Sequence, residues 1–313
     1  MVHTLGSDMK RGMIVAIALL ILVSACTSQK PEDIQQVSAV TKYVRSGNQG
    51  VELAFVKDLP PRQIYDTSDL VAVVEVRNLG SNDLGANDCF IQFGGFDYNI
   101  VRGVQSKQSC GDLVGRSEFV IDGGFDSVEF ESSNILLPPD VDQYTPPIVA
   151  TVCYEYKTIA APQVCVDPSF FELTRDQRAC EVRDFGLGGG QGAPVAVTYV
   201  NTDMAGSKAS FQIDVANVGT GRVVSPQANL AQCPSLRYDD FDQVRYSVSL
   251  PGGQLIKCSP GDFMLRLSNN RGKIVCVFDV GNTQARETPL RIELSYHYMQ
   301  SIRTPVEILR TPG

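Results

Sequence analysis

Proton transfer and nucleophilic attack need side chains of matched chemistry held close together, and these 313 residues hold little such material. Two histidines occur. His3 precedes an apolar run expected to be removed, which leaves His297 alone between Tyr296 and Tyr298. A nucleophile needs an adjacent base and a third group to orient that base. His297, expected on the strand face opposite the core, is therefore read as a surface residue. Carboxylates remain, in two clusters: Asp239-Asp240-Phe241-Asp242 and Asp140-Val141-Asp142. Facing carboxylates could hydrolyse glycosides, and oxygen-rich loops could hold Ca²⁺, with Asp239, Asp240 and Asp242 as the candidate ligands. Neither cluster has EF-hand spacing, so both are read as solvated acidic loops. General-acid work needs a carboxyl buried or held against a like charge, and turn carboxylates lack both. The expectation is a protein without catalytic residues, cofactor or required metal. Gly188-Gly189-Gly190-Gln191-Gly192 lacks the Lys-Ser/Thr of a phosphate-binding loop and any strand–helix context, so it is read as a flexible turn.

Cysteine is the other reactive type. Nine are present. Cys26 ends Val23-Ser24-Ala25-Cys26, which follows Lys10-Arg11 and the apolar run Met13 to Val23. That run is about 11 residues, where a spanning helix needs about 20, so it reads as an export signal. The tetrapeptide resembles the lipobox of prokaryotic lipoproteins, which implies cleavage before Cys26 and lipidation of its sulfur. The alternatives are an ordinary signal with an incidental cysteine, an uncleaved short anchor, and a prepilin-type cut after Gly12, the last disfavoured by the short apolar run. Residues 1–26 are thus assigned to a signal and 27–49 to a polar tether, with the membrane as partner through the N-terminal anchor. The other eight cysteines are Cys89, Cys110, Cys153, Cys165, Cys180, Cys233, Cys258 and Cys276. An even set in an exported chain implies disulfides, and no Cys-x-x-Cys or Cys/His cluster suggests zinc. The formal charge of −8 would repel nucleic-acid phosphates, which excludes that partner class.

These residues must be positioned by strands. From Val51 onward, short alternating runs are punctuated by Gly, Pro, Asn and Asp, with no sustained helical period. The chain also repeats itself. Ala72, Val74, Val76, Asn78 and Gly80 match Phe211, Ile213, Val215, Asn217 and Gly219 at one offset. Pro147, Val152, Tyr154, Tyr156, Val164 and Val166 match Pro289, Leu294, Tyr296, Tyr298, Val306 and Ile308. The copies predict two all-β domains, 50–175 and 176–313, each a sandwich. Asn-x-Gly at the strand end is read as a turn whose residues tolerate positive φ. The second block is read as a hairpin placing Tyr154 opposite Val164, and hence Cys153 opposite Cys165. Ser295 and Glu307 replace both cysteines in the second copy, as a bonded pair would require. Cys89–Cys110 follows. For the second domain, Cys233–Cys258 with Cys180–Cys276 and Cys180–Cys233 with Cys258–Cys276 both stay open.

Val51 to Phe55 and Leu70 to Gly80 resemble the opening strands of CARDB-type immunoglobulin-like domains of prokaryotic surface proteins. The resemblance implies tandem immunoglobulin-like β-sandwiches and a binding or adhesion role at the cell envelope, toward an unidentified envelope protein or glycan. The alternatives are a structural or assembly subunit of an envelope complex or filament, and a carboxylate-dependent glycan hydrolase.

Overall fold

Alternation decides the strands. In Val71–Asn78 every second residue, Ala72, Val74, Val76 and Asn78, is buried, and in Lys208–Asn217 the same holds for Ala209, Phe211, Ile213 and Val215. Successive side chains point to opposite faces of a strand, so such a run gives each sheet one apolar face. A computed structural model describes residues 45–170, 179–282 and 284–312. The signal, Cys26, most of the expected tether and the expected domain boundary near residue 175 lie outside them. Among the described residues no helix is long and apolar enough to cross a membrane.

The described chain is all-β apart from two short 3₁₀ turns, Leu230–Gln232 and Tyr238–Asp240. The first copy of the repeat carries β1 (Val51–Phe55), β2 (Gln63–Tyr65), β3 (Val71–Asn78), β4 (Cys89–Gly94), β5 (Val101–Arg102), β6 (Lys107–Ser109), β7 (Phe125–Glu131), β8 (Asn134–Ile135), β9 (Gln143–Tyr144), β10 (Pro147–Ala160) and β11 (Gln163–Val166). The second carries β12 (Phe185–Gly186), β13 (Val195–Ala205), β14 (Lys208–Asn217), β15 (Arg222–Val224), β16 (Gln243–Ser249), β17 (Gln254–Ser259), β18 (Met264–Arg266), β19 (Arg271–Asp279), β20 (Arg286–Pro289), β21 (Arg291–Pro305) and β22 (Glu307–Leu309).

Each copy supplies two sheet segments. The first has β1-β3-β7 and β10-β4-β6, and the second has β13-β14-β19, extended by β12 and β17, and β21-β16-β18. The copies are fused because β10 pairs with β21, making one central sheet ordered β18-β16-β21-β10-β4-β6. The described residues accordingly fall in one compact unit.

The fusion is a single antiparallel ribbon in constant register. It runs from Gln143↔Leu309, through Tyr154↔Tyr298, Glu155↔His297 and Tyr156↔Tyr296, to Val166↔Arg286. Proline interrupts the ladder twice, because it has no N–H to donate. At each break the partner's amide still bonds the proline carbonyl: Leu290 N to Pro162 O at 2.9 Å and Val306 N to Pro146 O at 3.2 Å. Because the repeat equates Tyr154 with Tyr296 and Tyr156 with Tyr298, this register relates the copies by a pseudo-twofold axis at the Glu155–His297 pair. The hairpin expected from Tyr154 and Val164 therefore does not form. β11 continues the direction of β10 and pairs with β20 of the other copy, while β22 returns the exchange on β9. A long strand whose partner is the repeat itself leaves the same apolar pattern as a hairpin, which is why alternation alone misassigned it.

Candidate functional site

The pseudo-twofold axis has two faces of different chemistry. The inner face carries Tyr154, Tyr156, Tyr296 and Tyr298, each at most 1% exposed. Their rings pack together, with centroids 5.4 Å apart for Tyr154–Tyr156 and 5.8 Å for Tyr154–Tyr298. Buried hydroxyls need partners, and the two copies supply equivalent ones. Tyr154 Oη accepts from Val51 N at 3.1 Å, and Tyr296 Oη accepts from Val195 N at 3.2 Å. Tyr156 donates to Asn78 Oδ1 at 3.0 Å, and Tyr298 donates to Asn217 Oδ1 at 2.9 Å. Asn78 then donates to the carbonyl of Asn82 at 2.7 Å, and Asn217 to that of Gly221 at 2.9 Å. These tyrosines fasten β1 and β13, and the turns that follow β3 and β14, to the central ribbon. Burial raises all four phenol pKa values, Tyr298 to about 12.

This geometry also corrects the reading of Asn-x-Gly. Gly80 and Gly219 do not have positive φ. A Cβ on Gly80 would overlap the Tyr156 hydroxyl and lie 2.6 Å from the Gly192 carbonyl oxygen, and one on Gly219 would lie 2.5 Å from the Tyr298 hydroxyl. Glycine is required there by the approach of a tyrosine, a signal legible only once the two matched blocks are seen to touch.

The outer face of the ribbon carries Thr151, Cys153, Glu155 and His297. His297 lies on the expected face but is 7% exposed, so it is not a surface residue. It pairs with Val224 in β15, beside the place where the excursion 225–240 leaves and rejoins the sheet through Ser225 N to Asp240 O at 2.7 Å. Its Nδ1 has no hydrogen-bond partner among the described residues. Burial pushes its pKa down, opposed by the charge of Glu155, so it is held neutral.

The excursion folds back over the sheet. Cys153–Cys233 pins it, and Lys107 Nζ donates to the Ala231 carbonyl at 2.6 Å. Between excursion and sheet lies a cleft of about 340 Å³, lined by Gln92, Tyr98, Thr151, Gln232, Pro234 and Ser235 among others. Tyr98 is 52% exposed. The cleft offers amide and hydroxyl hydrogen-bonding groups beside an aromatic face, and no charged side chain lines it.

The acidic residues lie elsewhere and serve local structure. Asp240 accepts from Arg237 N at 3.0 Å and its guanidinium at 3.3 Å, which lowers its pKa. Asp242 adopts φ 62° and sits 3.9 Å from Arg222. Asp239 is exposed, and its carbonyl takes Gln243 Nε2 at 2.7 Å. Asp142 pairs with Arg310 at 3.3 Å, and Asp140 is exposed. Among the described residues no group of three or more His, Cys, Asp or Glu side chains could hold a metal ion. The glycine loop is docked, not free: Gly47 N donates to Gly189 O at 2.6 Å and Gly192 N to Gly47 O at 3.0 Å. The last residues of the expected tether are thus built into the folded unit.

The disulfides are Cys89–Cys110, Cys153–Cys233, Cys165–Cys180 and Cys258–Cys276. Cys89–Cys110 is the pair drawn from the sequence. Cys153–Cys165 does not form, because both strands pair with the other copy and their cysteines turn to different segments. Neither full set for the second copy holds: Cys258–Cys276 comes from one of them, while Cys180 and Cys233 each bridge to the first copy. Four disulfides fit an oxidising environment outside the cytosol.

No family model matches this chain, and neither does any curated protein. Among solved structures, the secreted serine protease VesC from Vibrio cholerae aligns over 84% of this chain and 52% of its own, at 9% identity and a TM-score of 0.19. The chain thus spans about half the length of that protein. Superposition at that level supports no statement about this one.

Proposed function

We propose that this is an exported, membrane-anchored envelope protein whose two immunoglobulin-like sandwich halves form a non-catalytic binding module for an envelope glycan or protein. The supporting observation is the cleft between the disulfide-pinned excursion and the central sheet. Its uncharged hydroxyl and amide lining beside Tyr98 suits ligands rich in hydroxyl or peptide groups, since a few placed polar groups in a concave site fix orientation. Lys107, which reaches the lining residue Ala231, is spent on its carbonyl, and His297 on the same face of the ribbon is buried. The sandwich reading draws on the two layers in each copy, where Val74 and Val76 of one sheet and Ile91, Phe93 and Val152 of the other share one core.

The test is retention of the purified full chain on immobilised envelope polysaccharide and on native envelope extract. Tyr98→Ala and Gln92→Ala should each weaken retention about tenfold, the loss of one or two good contacts, with thermal unfolding unchanged. Turnover of the polysaccharide that is lost on substituting one Asp or Glu would replace this reading with the hydrolase. Anchoring is tested separately: Cys26→Ser should release the protein from membranes or block its processing, and unchanged membrane association with an unmodified Cys26 would remove the lipoprotein reading.

A further inference from the structure

The two copies also differ where β6 leads into β7. In the second copy the equivalent strands, β18 and β19, are joined by residues 267–270 alone. In the first copy residues 110–124 intervene. This longer loop and the first residue of β7 display apolar side chains to solvent: Phe119 is 88% exposed, Phe125 51%, Ile121 49% and Val114 47%. The loop is nevertheless ordered by its own backbone bonds, Gly124 N to Val114 O at 2.7 Å and Ser117 N to Val120 O at 3.0 Å. Apolar groups clustered on a built loop mark an interaction surface.

Its position indicates the partner. Arg45, the first described residue, lines one shallow depression together with Arg116 and Phe119. Arg116 also donates to the Ser46 carbonyl at 2.5 Å. The apolar tip therefore lies where the chain arrives from Cys26. Residues 27–44 can span at most roughly 60 Å even fully extended, so a lipid on Cys26 would keep residue 45, and the loop beside it, within that distance of the bilayer. Arg77 lies 5.2 Å from the Phe125 ring centroid, an arrangement in which a cation can reach the headgroups while the ring is buried. Glu118 and Asp122 in the same loop offset Arg45 and Arg116, so attraction to anionic lipid is not what the loop offers.

We propose that the 114–124 loop is a membrane-docking tip that lays Phe119 and Ile121 into the headgroup region of the bilayer holding the N-terminal anchor. The proposal rests on the anchored reading above. It fixes the orientation of the module, with the first copy's loop toward the lipid.

The sequence contains no tryptophan, so Phe119→Trp installs a single fluorophore at the tip, and Tyr238→Trp one on an exposed loop of the second copy. The full chain carrying either change is reconstituted in phosphatidylcholine vesicles with and without brominated lipid. Phe119→Trp should give blue-shifted emission and roughly twofold or greater quenching, as an aromatic at the interface does, with little dependence on salt. Tyr238→Trp should stay unquenched. Flotation with the vesicles without quenching of Phe119→Trp overturns the docking tip while leaving the anchor intact. Emission from Phe119→Trp that neither brominated lipid nor an aqueous quencher can reach indicates a second copy or another protein on the loop, and also overturns it. Failure to float at all removes the anchor and the proposal together. The double variant Phe119→Ser/Ile121→Ser should still float and unfold at the parent temperature, but with the loop open to protease on the vesicle.

Discussion

At the scale of single residues, three side chains repeat as a working set: tyrosine, asparagine and glycine. Gly80→Ala forces a methyl against the Tyr156 hydroxyl and the Gly192 carbonyl. Overpacking of that kind costs about 3 kcal/mol, to be read from urea denaturation, and Tyr156→Phe in the same chain should recover part of it by removing the hydroxyl. The tyrosines also set an alkaline limit. Their folded-state pKa values are raised, so their stabilisation is complete below the ordinary value of 10.0 and falls as pH rises above it, because the unfolded chain deprotonates first. Each fully buried tyrosine should remove about 1.4 kcal/mol per pH unit. Denaturation midpoints should therefore drop steeply between pH 10 and 12, and less steeply in Tyr154→Phe. His297 works in the other direction. Its folded pKa lies below the ordinary 6.5, so the unfolded chain takes up the proton first as pH falls through 6.5, and stability declines until the folded value is reached. His297→Gln should flatten this acid limb of the stability curve.

At the scale of elements, the excursion 225–240 depends on one covalent tie. Cys153–Cys233 closes a separation of 80 residues, and losing a loop of that size is worth about 4 kcal/mol on chain-entropy grounds. Cys153→Ser/Cys233→Ser should lower stability by that order. It should also raise hydrogen exchange in 225–240 far more than in β10 and β21, whose ladder does not involve the bond. Much at this scale was legible in the sequence. Alternation located β3 and β14, and the matched blocks were real, Tyr156 and Tyr298 each meeting the Asn-x-Gly of its own copy. What alternation could not supply was the partner of a strand. Tyr154 pairs across 144 residues with Tyr298, and nothing local distinguishes that from a nearby hairpin. Cys153–Cys165 failed for the same reason, since it was derived from the hairpin, whereas Cys89–Cys110 formed as expected. The cleft had no signal at all, because Gln92, Tyr98 and Gln232 meet only after the excursion folds back.

For the whole molecule, the shared core predicts joint unfolding. Heat or urea should give one cooperative transition, with tyrosine fluorescence and circular dichroism coinciding, and the isolated segment 50–175 should fail to fold because β10 and β11 would lose β21 and β20. Two resolved transitions would contradict the fused ribbon. The pseudo-twofold axis carries a consequence for ancestry. Its contacts are self-complementary: what β10 offers β21, β21 offers back, and β11 and β22 are exchanged reciprocally. That is the logic of an isologous homodimer. A chain bearing a single copy could bury this surface only by associating with itself, exchanging its tail strand as it did so. This protein is in effect such a dimer with its subunits joined end to end. Halves joined in one chain need not be identical, and here one carries an apolar loop beside Arg45 and the other a cystine-tied flap.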